Sequence, residues 1–153
     1  MLTIPDSIKN IWFTSDCHFG HINILKYDNR PFKDIYEHDN HIINKWNEVI
    51  GKDDYIFHLG DFSLSSSGYI ENILQRLNGI KFFISGSHDK NRSTKLFEQY
   101  GTYLGEQITV EIEKQFVVLN HYSMQSWDKR HLGSWHLFGH DHSGKTIPIG
   151  KSL

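Results

Sequence analysis

Asp16 and His18, Asp61, His88 and Asp89, His121, then His140 and His142 follow one another along the chain, nearly all where an apolar run ends in glycine or a polar turn. Side chains at i and i+2 of an extended segment point the same way, so Asp16 is expected to share a face with His18, and His140 with His142. Cys17 and Asp141, between them, should point elsewhere. Carboxylate oxygens with imidazole nitrogens suit Mn, Fe, Zn or Ni, whereas a structural zinc site usually recruits thiolates. The chain has one cysteine. Ligands of these types in this order point to hydrolysis assisted by two divalent transition metal ions.

Such residues must be carried to one place. Asp16 and His18 follow the run Ile11-Trp12-Phe13-Thr14, and His140 and His142 follow Trp135-His136-Leu137-Phe138, so both pairs are expected where a buried strand leaves the core. Asp34, with Glu37 three residues on, has the form of a capping box, and Ile35, Ile42, Ile43, Trp46, Val49 and Ile50 then keep helical spacing up to Gly51. Tyr55–Leu59 is a strand, Tyr69–Leu77 a shorter helix, Asn78-Gly79 a turn and Lys81–Ser85 a further strand. Gln107–Glu113 alternates in period 2 and Phe116–Leu119 is its partner, joined through Glu113-Lys114-Gln115 without an Asn-Gly signature. The alternation of strands and helices predicts an α/β domain with two sheets. Polar clusters at strand ends fit the rule that open α/β sheets bind ligands outside the carboxyl ends of their strands.

With 153 residues, one domain with a real core is expected, spanning 1–153. No apolar stretch approaches the roughly 20 residues that cross a bilayer, and residues 1–10 lack the apolar core of a secretory signal, so a soluble, cytoplasmic protein is expected. Sixteen basic against eighteen acidic side chains give a net charge of −2, which disfavours a broad basic face for long nucleic acid. A small nucleotide or a short nucleic-acid end remains open as a partner. Oligomeric state is not legible.

The motifs resemble those of the calcineurin-like metallophosphoesterases, especially small bacterial and phage-type members, over most of the chain. Asp16-Cys17-His18 resembles the family's Asp-x-His, Gly60-Asp61 its Gly-Asp, Gly86-Ser87-His88-Asp89 its Gly-Asn-His-Asp, and Gly139-His140-Asp141-His142 its Gly-His-x-His, with His121 as the isolated histidine between the last two. Phe19-Gly20-His21, Arg30-Pro31-Phe32, Trp46-Asn47, His58-Leu59-Gly60-Asp61-Phe62 and the stretch from Trp127 through Arg130 match the small subgroup as well.

The resemblance implies a two-sheet sandwich flanked by helices on both sides, in four layers, with a dinuclear metal centre at one rim. The first metal would take Asp16, His18, Asp61 and His142, and the second Asp61, position 87, His121 and His140. A water shared between the ions would be the nucleophile for an in-line attack on phosphorus. His88 would serve the leaving-group oxygen as a proton donor, and Asp89 would orient its other ring nitrogen. His21 and His58 either line the phosphate pocket or support it by hydrogen bonds. Ser87 departs from the pattern, which has asparagine as a ligand there, and this puts the second metal in question. The pattern also runs on through a further strand beyond Gly-His-x-His, whereas this sequence ends at Leu153.

Other residues carry plainer readings. His38, His41, His131 and His136 are read as surface or packing residues, Trp12, Phe13, Phe57, Phe82 and Phe83 as core, and Cys17 as packing. Ser65-Ser66-Ser67-Gly68 lacks the glycine spacing and lysine of a P-loop and is read as a flexible connection beside Asp61. Three functions compete: a metal-dependent phosphoesterase acting on a small nucleotide-like mono- or diester, a catalytically weak or inactive scaffold of the same fold that binds a protein partner, and a nuclease for long nucleic acid. The order of ligands and the presence of His88 favour the first.

Overall fold

The computed structural model of the chain describes residues 1–143 and 150–153. In order along the chain run β1 (Leu2–Thr3), β2 (Ile11–Thr14), α1 (Ile24–Tyr27), α2 (Ile35–Val49), β3 (Tyr55–Leu59), α3 (Ser67–Arg76), β4 (Ile80–Ile84), α4 (Asn91–Tyr100), β5 (Thr102–Tyr103), β6 (Gln107–Ile112), β7 (Gln115–Asn120) and β8 (Trp135–Leu137), with a 3-10 turn at Arg130–Leu132.

The first sheet is ordered β2-β3-β4-β5 and is parallel throughout. Crossovers between parallel strands are right-handed, so a sheet that grows in one direction sends every connecting helix to the same face. That is what occurs. Ile43 and Trp46 of α2, Ile70, Ile73 and Leu74 of α3 and Phe97 of α4 pack with Ile56 and Phe83 in one cluster. The opposite face, through Phe57, Leu59, Phe82 and Ile84, meets Val110, Val117 and Leu119 of the second sheet. Full burial of such side chains contributes roughly 1.5–3 kcal/mol each, and Phe57 stacks on Phe82 with centroids 4.7 Å apart.

The second sheet is ordered β1-β6-β7-β8. Its hairpin between β6 and β7 turns on Glu113 and Lys114, with φ of 49° and 67°, the left-handed pair of a type I′ turn built without Asn-Gly. Residues 151–153 run beside β8: His136 donates its N–H to Lys151 O, and Leu153 donates to His136 O.

Two expectations need correction. The fourth, helical layer is not found among the described residues: the outer face of the second sheet, where Val118 and His136 are fully buried, is closed by the segment that carries Trp127, whose ring lies 5.1 Å from that of His136. Trp12 is not core. It is 36% exposed at the sheet edge, where its indole N–H donates to Asp54. Asp34 does cap α2, accepting from Glu37 N–H, but Glu37 returns its carboxylate to Lys33 N–H rather than to the capping residue.

No helix among the described residues is long and apolar enough to cross a membrane.

Candidate metal centre

Five strands deliver their polar residues at their carboxyl ends: β2 to Asp16 and His18, β3 to Asp61, β4 to Ser87 and His88, β7 to His121, and β8 to His140 and His142. The loops after β2 and β3 stay zipped together beyond the sheet, Asp16 N–H donating to Gly60 O, His18 N–H to Asp61 O and Phe19 N–H to Phe62 O. The i,i+2 argument fails here, although the residues still meet. Asp16, His18, Asp61 and His140 have φ of 54°, 51°, 55° and 69°, four of the eight non-glycine residues in the left-handed region among the described residues. Each such residue costs of order 1–3 kcal/mol, and such costs cluster at functional sites. Left-handed turns, not strand alternation, aim these side chains.

Among the described residues, three sets of side chains bring possible ligand atoms together and could hold a metal ion: Asp16, His18 and His142; Asp61, His121 and His140; and His18, Asp61 and His88. The first and second are linked through His18, whose Nε2 is 3.8 Å from Asp16 Oδ1 and 3.7 Å from Asp61 Oδ2. His142 Nε2 lies 3.0 Å from Asp16 Oδ1, and His121 Nε2 3.3 Å from Asp61 Oδ2.

The ring nitrogens fit cations. His121 Nδ1 faces Leu59 O at 2.8 Å, which can only accept, so Nδ1 carries the proton and Nε2 turns a lone pair toward Asp61. That buried Nε2 has no hydrogen-bond partner in spite of the nearby carboxylate. His142 sits between two carboxylates, with Nδ1 2.6 Å from Asp28 Oδ2 and Nε2 hydrogen-bonded to Asp16 Oδ1 at 3.0 Å. His18 Nδ1 is engaged by His21 Nδ1 at 3.2 Å. Metal-binding histidines characteristically have their second nitrogen held in this way.

Burial opposes ionisation of Asp61, but the His121 ring 3.3 Å away and the His88 N–H, which donates to Oδ1, outweigh it and hold the carboxyl well below its usual range. Asp16 is likewise held low against burial, by His18, Ser15, His142 and the His140 N–H. Burial also works against a proton on His121, yet Asp61 beside it raises its affinity for one. Cys17 lies in the apolar cluster, its thiol pushed up to about 12 by burial and then by Asp16.

Ser87 spends its hydroxyl on Asp61, donating to Oδ2 at 3.0 Å. His88 stands at the rim, its side chain 38% exposed, with Nε2 3.9 Å from Asp61 Oδ2 and its ring beside those of His18 and His21. Asp89 does not orient it. Its carboxylate instead accepts from Gly86 N–H at 3.0 Å and Phe62 N–H at 3.1 Å, clamping the loops after β3 and β4 together, and burial pushes its carboxyl up to about 6. His21 is 8% exposed beside His18, and His58 is 1% exposed beneath the cluster with neither ring nitrogen bonded.

Sequence reading missed a buried polar chain behind this cluster. Asp28 Oδ2, which receives His142, also receives Nε and Nη2 of Arg30. Arg30 further donates to the carbonyls of Asp16 and Cys17 and to His38 Nε2. His38 Nδ1 donates to Asp39, which also accepts from Gly20 N–H and Tyr69 OH. His38 is therefore neither a surface residue nor inert packing, and His136 is buried, whereas His41 and His131 are exposed. The Arg30-Pro31-Phe32 run was the available signal.

No protein-family model matches the chain. It is 42% identical over 86 residues to an uncharacterized protein of Methanocaldococcus jannaschii, covering 55% of this chain and 49% of that protein. It is 39% identical over 85 residues to the gene 66 protein of Mycobacterium phage L5, covering 54% and 41%. The chain thus spans half or less of the length of the curated relatives it matches. Among solved structures, a protein of unknown function from Aquifex aeolicus superposes with a TM-score of 0.70 at 21% identity, over 93% of this chain and 89% of that one. An archaeal phosphodiesterase superposes with a TM-score of 0.54 at 20% identity, over 94% and 79%. These likenesses establish a shared fold.

Proposed function

We propose that the chain is a metal-dependent phosphoesterase that hydrolyses a small, nucleotide-like phosphodiester or phosphomonoester. The observation that carries this reading is the convergence of ring nitrogens held from behind, His121 Nδ1 by Leu59 O and His142 Nδ1 by Asp28, whose Nε2 atoms meet Asp61 and Asp16 at 3.3 and 3.0 Å. Asp16, His18, Asp61 and His142 would hold one cation and Asp61, His121 and His140 a second, with Ser87 at the position where the family pattern has an asparagine ligand. Two such ions would supply Lewis acidity and an activated water at neutral pH. The fold shared with an archaeal phosphodiesterase supports the same chemistry.

The chain's own residues would do the rest. Asp16 and Asp61 stay ionised because hydrogen bonds outweigh their burial. His88, partly exposed at the rim, would donate a proton to the departing oxygen, a service worth about 10² to 10⁴ in rate. Asp89 would hold the His88 loop in place through its backbone clamp on Gly86 and Phe62. His21 is close enough to His18 and His88 to touch a substrate at their edge, while His58, buried below, would act only as support.

The test is elemental analysis after loading with Mn or Zn, followed by initial rates on an aryl phosphodiester and monoester. Metal uptake with turnover is expected, and His88→Ala should keep the metal while losing turnover by the factor above. A protein that takes up no metal would overturn the reading. Metal uptake without turnover in the parent would favour the scaffold alternative, for which the departure at Ser87 is the one supporting observation.

A further inference from the structure

Next to the cluster, on its His88 side, lies a cavity of about 180 Å³ walled by Ser63, Ser65, His88, Lys90, Arg92 and Ser93. It is too small for a whole ligand of ordinary size, which needs roughly 300 Å³ or more, so it suits one group of a larger molecule. Its chemistry is one-sided. Lys90 and Arg92 are exposed, neither is paired with a carboxylate among the described residues, and no acidic side chain lines the wall. Lys90 is also the N-cap of α4 and gives it no side-chain cap, so the positive end of that helix adds to the same field. Ser93, 2% exposed, lines the same wall. The Lys90 ammonium and the Arg92 guanidinium, with serine hydroxyls and no carboxylate around them, are matched by an anion with several oxygens, and phosphate is the group of that kind on a nucleotide.

We propose that this cavity binds a second phosphate group of the substrate, on the leaving-group side of the reaction centre, so that the substrate is a nucleotide-like diester carrying a terminal phosphate. The proposal rests on the phosphoesterase reading for its orientation: His88, assigned to the departing oxygen, is itself part of the cavity wall. The portion of the substrate that leaves is then the portion that carries the extra charge. Ser65, within the run read from sequence as a plain connection, belongs to this wall.

The experiment compares three dinucleotides on the Mn-loaded protein: one unphosphorylated, one with a 5′-terminal phosphate and one with a 3′-terminal phosphate. Binding is read by calorimetry, and kcat/KM by product analysis. One phosphorylated form should bind about tenfold more tightly than the unphosphorylated form, and that advantage should shrink as salt is added. In Lys90→Ala/Arg92→Ala the ratio between the two should fall toward one, while Lys90→Arg/Arg92→Lys should keep most of it. Melting temperature, read in parallel, shows that the variants fold. Equal binding of all three dinucleotides, or an advantage that survives the double alanine substitution, overturns the proposal. A phosphate preference lost in the double variant, without hydrolysis of any substrate, would instead leave the anion site standing and overturn the phosphoesterase reading.

Discussion

A histidine can aim a lone pair at a cation only if its proton is held elsewhere, and that requirement separates what could be read from the sequence from what could not. The types and order of Asp16, His18, Asp61, His121, His140 and His142 were legible because carboxylates and imidazoles stand out after apolar runs. Leu59 O and Asp28, which fix two of the rings, were not. A carbonyl has no sequence signature, and the partner of Asp28 lies more than a hundred residues away along the chain. Ser87 belongs to the same scale. Its hydroxyl reaches Asp61 but is too short to replace a carboxamide, so the second cation would depend on Asp61, His121 and His140. Ser87→Asn is expected to raise affinity for the second metal and turnover by about 10- to 100-fold, with the first site little changed. Metal titration and initial rates at matched metal concentration check this, and identical values in both proteins would show serine to be sufficient.

At the scale of elements, the strands and long helices were legible from period and capping, whereas the short α1, β1 and β5 and the helix α4 were not. Asn91–Tyr100 buries only Ser93 and Phe97, too thin a stripe to stand out as a helix. The loops were misread for a different reason. Their residues are held by glycines on neighbouring loops, and such contacts leave no trace in local spacing. A Cβ on Gly86 would lie 2.4 Å from Asp61 Oδ1, one on Gly139 2.4 Å from Asp16 Oδ2, and one on Gly60 2.5 Å from His121 Nδ1. Gly86 and Gly139 are glycines for closeness rather than for backbone angle. Gly86→Ala is accordingly expected to displace Asp61, lowering metal content severely and stability by about 1–3 kcal/mol. Chemical denaturation and elemental analysis of the same sample would read both, and a variant with full metal content would refute the packing argument.

Across the whole molecule, two sheets and an α/β alternation were legible, but the closing of the second sheet by a loop around Trp127 in place of helices was not. A tryptophan in an irregular segment carries no periodic signal. The same scale governs acid stability. Burial holds His58 down to about 3 from the ordinary 6.5. Because the folded value lies below the unfolded one, its contribution is complete above about 6.5 and is lost as pH falls toward 3, at up to about 1.4 kcal/mol per pH unit. His58→Phe should therefore flatten the decline in stability of the metal-free protein between pH 6 and pH 4. Denaturant midpoints across that range check this, and parallel profiles for the two proteins would mean that the ring is not held neutral.

The glycine contacts have a kinetic consequence. Asp16 rests against the loop of Gly139, and its carboxylate meets His142 across 126 residues of sequence, while Asp61 rests against Gly86 and His121 against Gly60. No loop can settle before its neighbour. Closing so long a stretch of chain comes late when a polypeptide with many distant contacts folds. Uptake of a spectroscopically visible ion such as Co²⁺ during refolding should then follow the slowest phase seen by tryptophan fluorescence rather than precede it. The ion would serve as a clock for completion of the entire chain.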